Sequence, residues 1–330
     1  MNQFWHDKKV LITGATGLVG SWLTKALVEK NAHVSILVRD LNPQSELLRT
    51  KISEKTTIVQ GSLEDFNSVE RAINENEIDT VFHLGAQTIV GTAHRSPLPT
   101  FEANIRGSYN LLEACRRLQS IVKRVVVASS DKAYGSSDVL PYTEEMPLQG
   151  RHPYDVSKSC TDLLAFTYAQ TYNLPVAVAR CGNIYGGGDL NWSRIIPGTI
   201  RSLHQGMVPI IRSNGLLTRD YIFVQDVVEA YLLLAEKLGG PGVVGQAFNF
   251  GPNQPLSALD IVKLLQDMMG FKDVKPHILG DGKGEIQDQS LDSTKAQKIL
   301  GWQMNYSLED GFAKTISWYQ NYLQTEALLV

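Results

Sequence analysis

Five residues in two short runs have the types and spacing for proton and hydride chemistry. Ser130, Asp131 and Lys132 stand together in Ser129-Ser130-Asp131-Lys132-Ala133-Tyr134, and Tyr154 and Lys158 stand four apart in Pro153-Tyr154-Asp155-Val156-Ser157-Lys158. A helix that follows the proline would present the phenol and the amine on one face. A free phenol has a pKa of about 10, too high for a base near neutrality. An ammonium alongside, with any further positive charge nearby, stabilises the phenolate. Ser130 can hydrogen-bond the same substrate oxygen and hold it. Together these groups would remove an alcohol proton while hydride leaves the carbon. The same tyrosine–lysine spacing also occurs on plain helix surfaces, so its setting decides its meaning.

That setting is a cofactor cradle near the N-terminus. Gly14-Ala15-Thr16-Gly17-Leu18-Val19-Gly20 follows an apolar strand at 9–12 and opens a helix at 19–30 with Leu23, Ala26, Leu27 and Val28 on one face. Glycines let the backbone approach a pyrophosphate, and a helix N-terminus offers unpaired N–H groups to it. Strands follow at 33–38, 57–60, 80–84, 124–128, 174–180 and 247–250, with helices at 66–76, 99–118 and 224–238. This alternation predicts an α/β fold with a doubly wound parallel Rossmann sheet. Ligands of such sheets lie past the carboxyl ends of the strands, where Ser130 follows the fifth.

Smaller signals fit that frame. The second strand ends at Arg39-Asp40. Asp40 would take a ribose 2′-hydroxyl, favouring NAD, whereas Arg39 would stack on adenine or pair with a 2′-phosphate, favouring NADP. His83 sits mid-strand and reads as packed near the core. Gly85-Ala86-Gln87 opens the loop where a nicotinamide ribose would lie, and Asn104 would steady the site.

The 330 residues carry a net charge of −3 with acids and bases mixed, and no basic stripe or apolar span marks a nucleic-acid or membrane partner. Residues 1–8 lack the apolar core of a signal peptide. Cys115, Cys160 and Cys181 lack metal-type spacing and read as reduced thiols of a cytoplasmic protein.

The glycine turn, Ser130, Tyr154 and Lys158 resemble the extended short-chain dehydrogenase/reductases of the NAD-dependent epimerase/dehydratase family, which act on nucleotide sugars. Within it the CDP-glucose 4,6-dehydratase type is most similar. The likeness rests on Gly20-Ser21-Trp22-Leu23, Ser130-Asp131-Lys132, Gly182-Asn183-Ile184-Tyr185-Gly186-Gly187-Gly188-Asp189, Arg194-Ile195-Ile196-Pro197 and Ala247-Phe248-Asn249-Phe250-Gly251-Pro252, with Glu285 and Asp292 matching by spacing. Thr218-Arg219-Asp220-Tyr221-Ile222-Phe223-Val224 instead follows the epimerase and dTDP-sugar pattern.

The resemblance implies a nucleotide-sugar 4,6-dehydratase, of CDP-glucose or GDP-mannose type, that converts an NDP-hexose to its 4-keto-6-deoxy form with bound NAD. A nucleotide-sugar 4-epimerase is the alternative, and a non-catalytic dinucleotide sensor a third reading. Asp131 would protonate the departing C6 oxygen, and Lys132, neutral, would take the C5 proton. Cofactor contacts would come from Gly14, Thr16, Gly17, Leu18, Arg39, Asp40, Ser62, Leu63, Leu84, Ala86, Gln87, Tyr154 and Lys158. Ser62 stands where relatives usually place a carboxylate toward adenine. Substrate contacts would come from Gln87, Asn183, Arg194 and Arg219, the two arginines clamping the diphosphate. The base stays open between cytosine, guanine, uracil and thymine.

The dinucleotide domain would comprise 1–181 with 225–252, and the nucleotide-sugar domain 182–224 with 253–330. The glycines at 182 and 186–188 read as a flexible loop that closes over sugar. Trp302 and Trp318 read as packing aromatics of the smaller domain, and 327–330 as a frayed tail. Relatives commonly dimerise through the long helices, here 99–118 and 154–172, so a homodimer is expected.

Overall fold

A computed structural model of the chain describes residues 3–281 and 285–327; residues 328–330 of the expected tail lie outside the described residues. Thirteen strands run in chain order: β1 (Lys9–Thr13), β2 (His33–Val38), β3 (Thr57–Gln60), β4 (Thr80–His83), β5 (Arg124–Ala128), β6 (Val176–Cys181), β7 (Asn183–Tyr185), β8 (Ile210–Ile211), β9 (Thr218–Arg219), β10 (Tyr221–Phe223), β11 (Ala247–Phe250), β12 (Leu256–Ser257) and β13 (His277–Ile278). The helices are α1 (Leu18–Glu29), α2 (Glu46–Arg49), α3 (Phe66–Glu75), α4 (Val90–Arg95), α5 (Pro97–Phe101), α6 (Gly107–Arg117), α7 (Pro153–Tyr172), α8 (Ile195–His204), α9 (Val224–Lys237), α10 (Ala258–Met269) and α11 (Leu308–Ala327).

Seven strands form one sheet in the order β11-β6-β5-β4-β1-β2-β3, every neighbour parallel. The chain steps outward from β1 in both directions, the doubly wound Rossmann arrangement that the strand–helix alternation predicts. A strand covered on both faces must be apolar on both, and β1 shows why. Val10 and Ile12 join one core with Leu23 and Leu27 of α1 and with α9, while Leu11 joins the other with Val69 and Ile73 of α3 and with Leu111 and Leu112 of α6. Each such burial contributes about 1.5–3 kcal/mol.

A third core lies beyond the carboxyl ends of the strands. Tyr185, Ile196, Ile200, Phe223, Ile261, Leu265, Phe312 and Tyr319 fill it, and they come from β7, α8, β10, α10 and α11. Trp318 packs there, but Trp302 does not; it meets Phe250 edge-on and belongs to the core under α9.

Two further expectations need correction. The helix expected over 99–118 starts at Pro97 and carries a π-helical turn, Glu102–Arg106, between α5 and α6. One extra residue per turn rotates Asn104 inward, where it is 1% exposed. The expected flexible glycine loop is also a packed segment. A Cβ on Gly187 would lie 2.6 Å from Trp318 Cβ, and one on Gly182 2.6 Å from the Asp220 carbonyl oxygen. Trp22 Nε1 donates to the Gly187 carbonyl at 2.7 Å. Small residues here permit close approach.

Candidate active site

A cleft of about 780 Å³ runs along the carboxyl edge of the sheet from the glycine turn to the third core. Its near end is walled by Gly14, Gly17, Leu18 and Ala86, and its middle by Ser130, Lys132, Tyr154 and Lys158. Its far end is walled by Asn183, Arg194, Arg219 and Ile286.

The near end has the form of a phosphate cradle. Gly14 holds φ +74°, and a Cβ there would lie 2.7 Å from Gly85 N and 2.8 Å from Leu84 C. The two adjacent strand ends therefore pinch together at the switch point of the sheet. Gly17 is the N-cap of α1 and supplies no side-chain cap, so the first N–H groups of the helix stay available beside the cleft. Gly20 lets that helix sit on the turn, since a Cβ would lie 2.7 Å from Ala15 Cα. Because the obstacle is backbone, Gly20→Ala is expected to lower stability by about 1–3 kcal/mol, read by urea denaturation.

His83 is a structural strut. It is 3% exposed, with Nδ1 2.9 Å from Thr13 Oγ1 and Nε2 3.0 Å from Ser108 Oγ. Thr13 Oγ1 accepts from Gly85 N, so its proton goes to Nδ1; Ser108 donates to the Asn104 carbonyl, so Nε2–H donates to Ser108. The ring is neutral, and burial, aided by the Lys158 charge, brings its pKa to about 3 from 6.5. The unfolded chain would bind a proton that the folded chain refuses. Stability should therefore be full above pH 6.5 and fall as pH drops toward 3, by about 1.4 kcal/mol per unit. His83→Gln should flatten that slope in urea titrations across this window.

Asn104 supports the loop after β4. Its Oδ1 accepts from Gln87 N at 2.7 Å, while Nδ2 donates to the Gln87 carbonyl at 3.0 Å and to Ser157 Oγ at 2.9 Å. The Gln87 side chain departs from its expected place. Its amide bonds the Ile89 backbone and Thr100 Oγ1, and Ala86 and Thr88 face the cleft instead. Short local bonds have captured it.

The adenine-side residues also lie off the cleft. Arg39 Nε pairs with Asp40 Oδ2 at 2.6 Å, both groups exposed at the end of β2. Ser62 donates to Glu64, and Leu63 packs against Gly85 and Gly107. Thr16 and Leu84 do line the cleft.

Around the middle, Lys158 Nζ donates to the Ala128 carbonyl at 2.8 Å. Burial lowers its pKa to about 8, against the pull of Asp162 and Cys181. Burial pushes the Tyr154 phenol up to about 12. Arg194 and a hydrogen bond with Ser130 oppose that push, while Asp131 and Asp155 add to it. Arg194, expected only to grip phosphate, is thus the cation that acts most on the phenol.

Asp131 is 1% exposed and stands behind the cleft wall. Ser130 Oγ donates to its Oδ1 at 2.8 Å, and Oδ2 is buried without a partner among the described residues. Lys132 reaches the cleft, and its Nζ donates to Gln289 Oε1 at 3.2 Å. Burial lowers its pKa; Arg219 adds to the lowering, and Asp131, Asp155 and Glu285 oppose it. Neither side chain turns out into solvent.

At the far end Arg219 is 5% exposed, and its guanidinium bonds the Thr218 and Gln287 carbonyls and Glu285. Arg194 pairs with Asp189 at 2.9 Å and stays 41% exposed. Asn183 hydrogen-bonds Tyr221 beside them.

Sequence reasoning missed several cleft residues. Asp155 carries a signal, since it directly follows Tyr154 and must enter the site with it. His94 and His152, whose rings lie 5.1 Å apart, and Ile210 to Ser213 carry none, because distant segments bring them to the wall.

The arrangement can deprotonate a hydroxyl, grip a diphosphate at two arginines and move two further protons nearby. Known proteins resemble the chain in sequence and fold. The CDP-glucose 4,6-dehydratase of Salmonella typhimurium is 30% identical over 342 residues, covering 99% of this chain and 94% of that protein. The structure of a UDP-glucose 4-epimerase from Thermotoga maritima with UDP-glucose superposes with a TM-score of 0.87 at 28% identity, covering 95% of this chain and 99% of the other. That of a dTDP-glucose 4,6-dehydratase from Streptomyces venezuelae with NAD and TYD bound gives 0.84 at 27%, covering 94% and 97%. A sequence model described as GDP-mannose 4,6 dehydratase matches residues 11–315, from the first strand of the sheet into the last helix. With that span accounted for, this protein belongs to the GDP-mannose 4,6-dehydratase family.

Proposed function

We propose that the protein is an NAD-dependent nucleotide-sugar 4,6-dehydratase. One observation carries the reading: directly after the serine that would hold the sugar's C4 oxygen stand an enclosed carboxylate, one oxygen of which has no partner among the described residues, and an amine of lowered pKa that lines the cleft. An epimerase has no use for either.

Gly14, Thr16, Gly17, Leu18, Leu84, Ala86, Tyr154 and Lys158 would hold the dinucleotide, and the cradle at Gly14 fits it. When bound, NAD supplies a hydride acceptor, a positive ring and a hydride to return. The Streptomyces venezuelae dehydratase structure, which holds NAD, supports NAD over NADP. Tyr154 would take the C4 hydroxyl proton when the positive ring of the bound cofactor joins Arg194 in opposing the burial that holds the phenol's pKa up. Ser130 holds the same oxygen. Once C4 is a ketone, the C5 proton is acidic. Lys132, whose charged form burial disfavours, would take that proton as the free amine. The C5–H electron pair forms the C5–C6 double bond as the C6–O bond breaks, and Asp131 gives its proton to the departing hydroxyl, which leaves as water. Arg194, Arg219 and Asn183 grip the diphosphate.

We take 1–181 with 225–252 as the dinucleotide domain and 182–224 with 253–330 as the sugar domain. The chain would work in the cytoplasm; no helix among the described residues is long and apolar enough to cross a membrane. A homodimer through α5, α6 and α7 would cover Leu98, Tyr109 and Leu163, which are 66%, 40% and 56% exposed.

Mass spectrometry after incubation with CDP-, GDP-, UDP- and dTDP-hexoses tests the reading. A product lighter by one water supports it. The second reading, 4-epimerase, is favoured by the fit to the Thermotoga maritima enzyme, and an isomer of unchanged mass would establish it.

A further inference from the structure

We propose that Gln289 is a positioning residue for the Lys132 amine, a neutral acceptor that fixes the direction in which the amine takes the C5 proton. This rests on the dehydratase reading. The contact is direct, Nζ to Oε1 at 3.2 Å, between residues 157 apart in the chain.

A lysine side chain has four rotatable bonds and carries about 2 kcal/mol of rotamer entropy, so an unanchored amine makes a poorly aimed base. Gln289 can anchor it because its backbone is held on both sides. It is fully buried. Its N–H donates to the Thr218 carbonyl at 3.1 Å, and Thr218 N donates to the Gln287 carbonyl at 3.0 Å. Thr218 Oγ1 bonds Asp288 at 2.6 Å. On the other side Leu291 N donates to Asp220 Oδ2 at 3.1 Å, and Tyr142 brackets Ser290 and Asp292 through backbone bonds of 2.8 and 2.9 Å. Residues 287–292 are thus clamped between β9, which carries Arg219, and the segment that follows the Lys132 turn. The anchor of the amine and the grip on the diphosphate share one strand. A sugar nucleotide seated on Arg219 is thereby held at a set distance from the base.

The amide is also the right chemical type. Charged groups face the amine from every side: Asp131 on its own turn, Asp155 on α7, Arg219 on β9 and Glu285 ahead of Gln289. Three carboxylates already favour the ammonium against one guanidinium. A fourth carboxylate would hold the proton and deny the amine its role as base. An amide carbonyl accepts an N–H from the neutral amine without adding charge, and leaves the nitrogen lone pair free for the C5 proton.

Two variants test this, Gln289→Leu and Gln289→Glu, each assayed with the nucleotide sugar that the wild type dehydrates. Gln289→Leu should lower kcat for water loss about 10²-fold with KM unchanged. Oxidation at C4 should persist, so the near-ultraviolet absorbance of reduced nicotinamide should build up, and solvent deuterium should enter C5 more slowly. Gln289→Glu keeps the shape of the side chain, so it carries the test if the leucine variant does not fold. Lys132 acts as the free amine, so kcat rises with pH through its pKa; a raised pKa should move that limb upward by about one unit or more. Wild-type kcat and an unmoved limb in both variants would overturn the assignment. So would equal losses of C4 oxidation and water loss, the mark of a merely structural role. A wild type that yields no product lighter by one water removes the dehydratase reading first, before any variant is compared.

Discussion

Lys132→Met is expected to cut formation of the dehydrated sugar nucleotide by about 10²–10⁴-fold, the usual contribution of a positioned general base. The side chain keeps its length and loses only its proton chemistry. Tyr154, Lys158 and Ser130 are untouched, so C4 oxidation should continue. The enzyme should therefore stall after its first step, and rapid-quench mass spectrometry should find a 4-keto sugar of two mass units less than substrate in place of the product lighter by water. Asp131→Asn should give the same order of loss, because an amide cannot supply the proton that the C6 hydroxyl needs to leave. Its shape is kept, and the hydrogen bond from Ser130 Oγ still finds a carbonyl oxygen. If Lys132→Met dehydrates at the wild-type rate, the amine is not the base. If the wild type and the variant both isomerise the sugar at C4 and release no water, the two residues belong to an epimerase that does not use them.

Asp162→Ala is expected to cost about 3–5 kcal/mol of stability in urea denaturation, the cost of leaving a buried charge without its partner. Asp162 is fully buried and Arg180 is 2% exposed. Two guanidinium nitrogens reach the carboxylate, Nε to Oδ2 at 3.1 Å and Nη2 to Oδ1 at 2.9 Å, and Ser129 Oγ donates to Oδ2 at 2.5 Å. Arg180 also donates to the Tyr134 hydroxyl at 2.8 Å, which in turn donates to Asn249 at 2.7 Å. The network therefore joins α7, β6, β11, the end of β5 and the turn that carries Lys132. Removing both charges together, as Asp162→Leu with Arg180→Met, should recover much of the loss, since two apolar groups leave no orphaned ion. The single variant should also change the chemistry. Asp162 holds the Lys158 pKa up against burial, at about 8. Without it that pKa falls, the ammonium is depleted near neutrality, and the low-pH side of the working range gains over the high-pH side. An Asp162→Ala protein as stable as the wild type would remove the network from the account.

Local pattern carried a large part of the site. Four strands of the sheet, β2, β3, β5 and β11, have the ends read from the sequence, because short apolar runs between turn residues leave little choice of boundary. Ser130, Lys132, Tyr154 and Lys158 come to one cleft because each is fixed by its distance from a strand end or a helix start. The failures have equally local causes. Gln87 was placed by its loop, yet Ile89 and Thr100 claim its amide. The glycines at 186–188 were read by composition as mobile, yet Trp318 and Val224 pack against them. The π-turn at Glu102–Arg106 leaves no mark in apolar periodicity, although it sets the direction of Asn104.

By itself the chain determined its class of chemistry and its sheet, since a phenol four residues before an amine, a glycine turn and a strand-end serine act through contacts near in sequence. Tertiary structure decided which state those groups occupy. Burial brings Lys158 down and Tyr154 up, the Arg194 charge acts on the phenol from a separate element, and Gln289 meets Lys132 only because the segment after Glu285 bonds alongside β9. Solvation and long-range approach depend on where the whole chain excludes water, and no window of residues contains that information.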